Sequence, residues 1–197
     1  KASLEAGEVT TVSKINTIAD GTAVQTPGDK LFPYLQANVD HVITVDDSEL
    51  TLSFLDMAEN HKMIVENSGL LTVAALKHLD FKGKKVVSVL SGGNMDVLTM
   101  ATVVQNGLMQ RDRIFTVSVM LPDKPGQLAA VSSLIAKEQG NVIKLEHNVF
   151  ANVNRTAGVE LTITLESFGT EHKDQIIKAL EAAGYCPVIT KTNGIYM

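Results

Sequence analysis

IFTVSVMLPDKPGQL, residues 114–128, is the stretch of sequence that decides the fold of the second half of the chain. Its first eight residues alternate in side-chain polarity, which predicts a strand with one apolar face. The members of that face are Phe115, Val117, Val119 and Leu121. Two prolines and a glycine at 122–126 then predict a turn, after which apolar residues recur at helical spacing. The stretch therefore predicts a strand, a turn and the start of a helix.

Downstream of that stretch the chain keeps alternating between helix and strand patterns. The predicted elements are a helix with Leu128, Val131, Leu134 and Ile135 that ends near Gly140 and Asn141, strands at about 142–150 and 159–166, a helix between Thr170 and Gly184, and a strand at 185–190. In the strand at 159–166, aliphatic residues alternate with glutamate and threonine, so this strand is half buried. The order βαββαβ predicts a ferredoxin-like fold for residues 113–197.

The charged break from Arg111 to Arg113 predicts a domain boundary, and residues 1–112 before it carry a different pattern. The β-branched run at 41–45 predicts a strand, and Asp46 to Glu49 then has capping-box spacing. The other predicted elements are a helix with Leu50, Phe54 and Met57 on one face, a run at 62–66, a helix at 69–79, a strand at 85–90 and a helix at 96–110. The run at 85–90 is apolar on both faces, as in a central parallel strand. These signals predict an α/β sheet with ligands at the carboxyl ends of its strands.

Three short motifs in the first half indicate a ligand site. Ser91-Gly-Gly-Asn94 follows the predicted strand at 85–90, and its two glycines let the backbone approach a flat ligand closely. An ordinary tight turn needs the same residues, so this motif alone does not distinguish the two. The runs Thr17-Ile-Ala-Asp-Gly-Thr-Ala-Val24 and Val65-Glu-Asn-Ser-Gly69 precede it, and the three together are more specific than any one.

In this order the motifs resemble the C-terminal half of fold-type II pyridoxal-phosphate enzymes, specifically the threonine and serine dehydratases, over nearly all of residues 1–110. The resemblance implies that the Ser91 hydroxyl bonds the pyridine nitrogen of pyridoxal 5'-phosphate without holding it protonated, which favours β-elimination. It also implies that further residues belong to the cofactor pocket, namely Gly21, Glu66, Gly92, Gly93 and Asn94. A carboxylate at a helix entry, with no chemical role, stays the alternative for Glu66.

The chain departs from that family in one respect. The Schiff-base lysine of the family, in a Ser-Phe-Lys-like setting, and its glycine-rich phosphate loop both precede the matched region, and residues 1–197 contain neither. The first residue is Lys1 rather than methionine, which suggests a piece of a longer protein. We therefore expect no catalytic residue in this chain, and neither covalent cofactor binding nor turnover by the chain alone.

The turn in the second half resembles the ligand loop of ACT domains, which are small modules that bind amino acids. Leu121-Pro-Asp-Lys-Pro-Gly-Gln-Leu128 carries the match, and residues 158–169 add to it. A helix N-terminus offers free amides and partial positive charge to a carboxylate. The resemblance implies a regulatory site, with Asp123 on the ligand ammonium and Asn141 opposite the loop, formed by Asp123, Lys124, Pro125, Gly126, Gln127, Leu128 and Asn141. A plain strand-to-helix turn is the alternative.

Composition and charge narrow the class of protein. A net charge of −5 and a pI near 5.5 provide no basic field for nucleic acid or another polyanion. No apolar run reaches the ~20 residues of a membrane span, so we expect no membrane partner and a cytoplasmic protein.

The single cysteine, Cys186, cannot form an internal disulfide and is expected to be buried or half-buried. The five histidines lack metal-ligand spacing, and Ser48, Ser68 and Ser91 lack a nucleophile-elbow context, which argues against a metal site and a hydrolase.

These patterns and resemblances predict one function and leave one alternative. The prediction is a portion of a pyridoxal-phosphate-dependent L-threonine or L-serine ammonia-lyase, a homo-oligomer with an amino-acid substrate and an amino-acid effector. The alternative is a non-catalytic amino-acid-binding regulatory protein. A Schiff-base lysine motif and a glycine-rich loop upstream of Lys1 would distinguish the enzyme from that alternative. Threonine and serine both stay open as substrates, and so do isoleucine and valine as effectors.

Overall fold

The structure is a computed structural model in which residues 1–148 and 158–192 are described. It divides into two compact units, Lys1–Val104 and Gln105–Met197. The division falls within the helix that runs from Val97 to Gln110. The domain boundary that the sequence predicts at Arg111 to Arg113 directly follows this helix, and it stays a prediction.

The first unit consists of short helices joined by longer connecting segments. Its α-helices are α1 (Ala2–Ala6), α2 (Phe32–Asn38), α3 (Asp47–Asp56), α4 (Leu71–Ala74) and the first part of α5 (Val97–Gln110). It also has 3-10 turns at Asp20–Thr22, Asn67–Leu70 and Ala75–His78 and a π turn at Met57–His61. The helix predicted at 69–79 is present, but it begins at Asn67 and only its middle is α-helical. The helix predicted at 96–110 is confirmed as α5.

Helix α3 begins where the sequence places a capping box. The Glu49 carboxylate accepts a hydrogen bond from the Asp46 N–H at 2.9 Å, and the Asp46 side chain accepts one from the Glu49 N–H. The bond from the Asp46 backbone and that from His78 lower the pKa of Glu49. The predicted apolar face of α3 is buried in the core of this unit, which contains Ala19, Leu50, Phe54, Met57, Val65, Leu70, Ala74 and Val103.

The strands predicted in the first half do not pair into a sheet. Residues 1–104, all of which the structure describes, contain no strand, and the segments at 41–45, 62–66 and 85–90 have no ladder. Val87 is 89% exposed, so the run with the pattern of a central strand is uncovered in this chain. A strand requires a hydrogen-bonded neighbour, and residues 1–104 supply none for these segments. The expected parallel sheet is therefore not formed within the first unit.

The second unit has the predicted βαββαβ order. Its elements are β1 (Ile114–Leu121), α6 (Gln127–Lys137), β2 (Asn141–Asn148), β3 (Val159–Glu166), α7 (Thr170–Ala182) and β4 (Val188–Thr190). The strands form one antiparallel sheet in the order β2-β3-β1-β4, which confirms the ferredoxin-like topology. The predicted extension of the β2 strand to Phe150 lies outside the described residues. Strand β4 begins at Val188 rather than at the predicted Tyr185.

The core of the second unit lies between the sheet and its two helices. It contains the alternating residues that the sequence predicts, together with helix residues at the predicted spacing: Phe115, Val117, Val119, Leu121, Leu161, Ile163, Leu165, Val131, Ile135, Ile176 and Leu180. Thr116 and Ser118, on the polar side of β1, are buried as well. There the Thr116 and Thr164 hydroxyls form a hydrogen bond of 3.0 Å.

The charged break after α5 is a helix end fixed by hydrogen bonds. Asp112 has a left-handed backbone with φ 54°, and the N–H groups of residues 112 and 113 donate back to carbonyls in the last turn of α5, as in a Schellman motif. The Asp112 carboxylate accepts hydrogen bonds from Lys173 Nζ and from the Thr170 hydroxyl, each at 2.7 Å. This segment is thereby tied to the start of α7.

Two local expectations need correction. Gly169, with φ 127°, is the N-cap of α7, where the sequence predicts Thr170, because the Thr170 side chain is bonded to Asp112 instead. Cys186 is exposed rather than buried or half-buried. It precedes the edge strand β4, whose Val188 is itself 60% exposed, so this part of the chain lies outside the core.

In the described part of the chain, no helix is long and apolar enough to cross a membrane.

Candidate functional site

The three motifs of the first half converge in the folded chain. The Glu66 N–H donates a hydrogen bond to the Gly92 C=O at 3.4 Å. A Cβ built on Gly21 would lie 2.7 Å from Ser68 Oγ and 3.6 Å from a Glu66 carboxylate oxygen. Gly21, Glu66 and Gly92 come from three separate motifs of the sequence. The structure therefore brings these three predicted site residues together.

Two glycines of this site are required by close contact. A Cβ on Gly92 would lie 2.3 Å from Glu66 Cδ, and Gly92 has φ 77°. A Cβ on Gly69 would lie 1.9 Å from the Ser91 carbonyl oxygen, which is a backbone atom and cannot rotate away. Gly93 differs, since its Cβ would meet one backbone oxygen at an ordinary 3.6 Å. Gly69 was not singled out as a site residue from the sequence, where its only signal was its place at the end of the second motif.

The loop that carries Gly21 is held from two sides. Asp47, in the first turn of α3, accepts hydrogen bonds from the Thr17 hydroxyl at 2.6 Å and from the Ile18 N–H at 3.1 Å. On the other side, Asn67 Nδ2 donates to the Ile18 C=O at 3.0 Å. Asp47 and Asn67 were missed in the sequence because their partners are 30 and 49 residues away along the chain.

A small cavity of about 60 Å³ opens beside this loop. Each of the three motifs contributes to its lining, with Asp20 from the first, Glu66 and Asn67 from the second and Asn94 from the third. Ser91 does not line this cavity, and it is exposed. Of the residues that the family resemblance names, Asn94 therefore shares this cavity with Glu66.

The turn at 91–94 leads into α5 through Asp96. One Asp96 carboxylate oxygen accepts hydrogen bonds from the Leu98 N–H at 2.9 Å and from the Thr99 N–H at 3.0 Å. Bonds from the Thr99 hydroxyl and amide hold the pKa of Asp96 below its usual value. The carboxylate thus stays charged at the helix N-terminus, which fixes the start of α5 immediately after the turn.

The residues present fit the pyridoxal phosphate that the resemblance implies. Ser91 is exposed next to glycine backbone, and glycine leaves room for a flat ring. Among the described residues, two buried polar atoms lack a hydrogen-bond partner, Asn67 Oδ1 and Ser68 Oγ. Buried polar atoms are nearly always paired, so unpaired ones beside a site indicate a ligand, an ion or water that pairs with them.

In the second unit, the predicted ligand loop lies between β1 and α6. Residues 122–126 are exposed, and Gly126 is the N-cap of α6 with φ 89°, a conformation that favours glycine. No described side chain caps this end of α6. The Gln127 N–H donates to the Lys124 C=O at 3.5 Å, and the amides that follow it in the first turn are available to an anion such as a carboxylate. Asp123, Lys124 and Pro125 are exposed beside these amides, with Gln127 and Leu128 in the first turn.

Asn141 does not lie at this loop within one chain. It is the first residue of β2, paired with Glu166, and its Nδ2 donates to Glu166 Oε2 at 3.0 Å. Glu166 pairs with Ile114, at the opposite end of β1 from the loop. Seven residues of strand correspond to about 24 Å, which exceeds the length of an amino acid. A single amino acid bound at the loop therefore does not reach Asn141 of the same chain.

Two curated relatives match nearly all of this chain. An L-threonine ammonia-lyase of Geobacter sulfurreducens is 36% identical over 96% of this chain and 48% of its own length, and one of Thermotoga maritima is 34% identical over 93% and 46%. The chain thus spans about half the length of the curated relatives that it matches. A solved structure, the processed form of threonine deaminase isoform 2 from Solanum lycopersicum, is 25% identical with a TM-score of 0.48, over 53% of this chain and 32% of that chain.

Family models match each unit in turn. Residues 1–92, which include the first two motifs and the start of the third, match the family described as pyridoxal-phosphate dependent enzyme. Residues 115–184, which include the loop between β1 and α6, match the ACT domain. The chain therefore combines a segment that matches the pyridoxal-phosphate dependent enzymes, residues 1–92, with a segment that matches the ACT domain, residues 115–184.

Proposed function

We propose that the full-length gene product, meaning residues 1–197 together with any residues encoded before them, is an L-threonine or L-serine ammonia-lyase. The observation that carries the proposal is the convergence of Gly21, Glu66 and Gly92 next to the Ser91 turn. The two relatives named L-threonine ammonia-lyase support the threonine reaction. In that reaction, threonine loses water to leave an enamine, and one water then hydrolyses the imine tautomer of that enamine to 2-oxobutanoate and ammonia.

Each residue of the converged site has a distinct task in this proposal. Bound pyridoxal phosphate would supply an electron sink for loss of the Cα proton and the Cβ hydroxyl. Ser91 would donate its hydroxyl hydrogen to the ring nitrogen, and a neutral hydroxyl would leave that nitrogen unprotonated where a carboxylate would share a proton with it. Gly69 and Gly92 keep the backbone of the turn close to Glu66. Gly21 and Glu66 would border the ring, and Asn94 would extend the turn beside it.

The Schiff-base lysine and the glycine-rich phosphate loop belong, in this proposal, to residues outside the chain. The chain spans 48% and 46% of the two relatives, and the segments at 41–45 and 85–90 have no strand neighbour in residues 1–104. Further chain would both pair those segments and bring the missing groups. The chain alone is therefore expected to be inactive.

The second unit is proposed to sense an amino acid at the loop between β1 and α6. The α6 amides would bind the ligand carboxylate, and Asp123 would bind its ammonium group. Because Asn141 lies at the far end of the sheet, its part in the site requires a homo-oligomer in which another copy presents it. Strands β2 and β4 are the edges of the sheet, and an edge strand is a natural place for such pairing.

The test compares the full-length gene product with residues 1–197 alone. Both are supplied with pyridoxal phosphate and with L-threonine or L-serine, and cofactor absorbance and oxo-acid release are measured. We expect both signals from the full-length protein and no oxo acid from the chain alone. A full-length protein that binds amino acids by calorimetry, but takes up no cofactor and releases no oxo acid, would support the non-catalytic regulatory protein instead.

A further inference from the structure

We propose that Asp47 is a positioning residue for the cofactor site, and the inference rests on the proposed function. Asp47 bonds to the start of the first motif rather than to Gly21, Glu66 or Gly92. It acts through the loop at 17–21, whose last residue, Gly21, borders Glu66 and Ser68. Asp47 would thereby set the affinity for pyridoxal phosphate without touching it.

Both carboxylate oxygens of Asp47 are used on this loop. Oδ1 accepts the Thr17 hydroxyl at 2.6 Å, and Oδ2 accepts the Ile18 N–H at 3.1 Å. The Thr17 oxygen in turn accepts the Ala19 N–H at 3.1 Å, and Ala19 is buried in the core. Hydrogen bonds to an ionised acceptor are shorter and stronger than neutral ones. Three successive residues are therefore fixed, directly or through one hydroxyl, by a single side chain.

The position of the loop matters because Gly21 has no room to move toward the second motif. Its Cβ would already lie 2.7 Å from Ser68 Oγ. Two described side chains outside the loop bond to the backbone of Ile18, namely Asp47 and Asn67. Without Asp47, the hydrogen bond from Asn67 to the Ile18 C=O would be the one that remains. A loop that holds its binding position only part of the time weakens the apparent affinity in proportion to that fraction.

A simpler role for Asp47 must be separated from this one. As an acid in the first turn of α3, it stabilises the helix dipole wherever the loop lies. Glu49 is the matched control, because it is an acid in the same turn and bonds to the Asp46 N–H and to His78 rather than to the loop. Loss of either acid weakens α3, but only loss of Asp47 releases residues 17–19.

The experiment measures the dissociation constant of pyridoxal 5'-phosphate from the full-length gene product, freed of cofactor and titrated by fluorescence. Asp47→Ala should weaken binding roughly 10- to 100-fold, because the loop that borders the site loses the two bonds that hold it in its binding position. Asp47→Asn keeps one acceptor oxygen and should fall between Asp47→Ala and the wild type. Glu49→Ala should bind within about two-fold of the wild type, although its melting temperature falls. Thr17→Val removes one bond to Asp47 and should also weaken binding, which keeps the test open if Asp47→Ala fails to fold.

Equal affinity of wild type, Asp47→Asn and Thr17→Val would overturn the inference while leaving the proposed function intact. Glu49→Ala that weakens binding as much as Asp47→Ala would also overturn it, since the effect would then belong to α3. A wild type that binds no pyridoxal phosphate would overturn the proposed function, and the role of Asp47 with it.

Discussion

Replacement of Asp112 by alanine should destabilise the second unit markedly. Asp112 lies between α5 and β1 with a left-handed backbone, and its carboxylate holds Lys173 and Thr170 of α7 at 2.7 Å each. The Lys173 and Asp112 side chains are only 18% and 27% exposed, so water screens this ion pair less than a surface pair. One substitution therefore removes an ion pair and a hydrogen bond, and it leaves alanine in a conformation that aspartate tolerates better.

The expected size follows from these parts. The ion pair is worth about 1 kcal/mol, the hydrogen bond from Thr170 about 1 kcal/mol, and alanine in the left-handed region costs about 1 kcal/mol. Asp112→Ala should thus lower the free energy of unfolding by about 3 kcal/mol. Asp112→Asn keeps an acceptor for Thr170 and tolerates the same backbone, so it should lose only about 1 kcal/mol.

The measurement is urea unfolding of the chain, with hydrogen exchange of α7 peptides to assign the loss to the second unit. Burial alone would raise the pKa of Asp112, but the bonds from Lys173 and Thr170 outweigh it and hold the pKa below its usual value. Because the pKa of Asp112 is lower in the folded state, the ionised carboxylate stabilises the folded protein at pH values above the unfolded-state pKa of about 3.9. This stabilisation is lost as the pH falls through the folded-state pKa. The difference in free energy of unfolding between the wild type and Asp112→Asn should therefore have its full size at neutral pH and decrease below about pH 4. A difference that does not change with pH, or a loss under 0.5 kcal/mol for Asp112→Ala, roughly the size of a neutral surface change, would refute this reasoning.

Two further predictions concern the two candidate sites. Gly69→Ala should lower the free energy of unfolding by about 2–3 kcal/mol, because its Cβ would lie 1.9 Å from the Ser91 carbonyl oxygen, whereas Gly28→Ala, with nothing within 4 Å, should change it by less than about 0.5 kcal/mol. Equal melting temperatures of these two variants would contradict the packing of the Ser91 turn. Asp123→Ala should weaken isoleucine or valine binding about ten-fold in calorimetry without lowering the melting temperature, since Asp123 is exposed. If the unaltered chain binds none of isoleucine, valine, threonine and serine, the ligand loop is only a turn.

The elements that the sequence predicted correctly are those with local causes. The alternation in Ile114–Leu121 and the helical spacing after Gly126 need no knowledge of distant residues, and both elements form as predicted. The same holds for Asp46 and Glu49, three residues apart, whose reciprocal bonds begin α3. The run at 85–90 has an equally clear strand pattern, but a strand also needs a hydrogen-bonded neighbour. The run itself does not show that residues 1–104 contain no such neighbour.

The candidate site was predictable in its motifs and not in its supports. Glu66 and Gly92 carry sequence signals, and the structure places them side by side. Asp47 reads as an ordinary first-turn acid, since nothing local shows that Thr17 is its partner. Asn141 carries a sequence signal but lies away from the predicted site. The resemblance places it opposite the ligand loop, whereas its register on β2 puts it at the other end of the sheet. The burial predicted for Cys186 is wrong, because its neighbours in sequence do not show that this part of the chain lies outside the core.

The most direct test of the central claim, that the Ser91 turn seats the cofactor ring, is oxo-acid formation from L-threonine by full-length Ser91→Ala beside Ser48→Ala. Both serines are exposed, but Ser48 lies in the first turn of α3 and outside the converged motifs. At saturating pyridoxal phosphate, Ser91→Ala should turn over at least about ten-fold more slowly than the wild type, the equivalent of one hydrogen bond to the reacting ring. Ser48→Ala should match the wild type. Wild-type turnover by Ser91→Ala would contradict the claim.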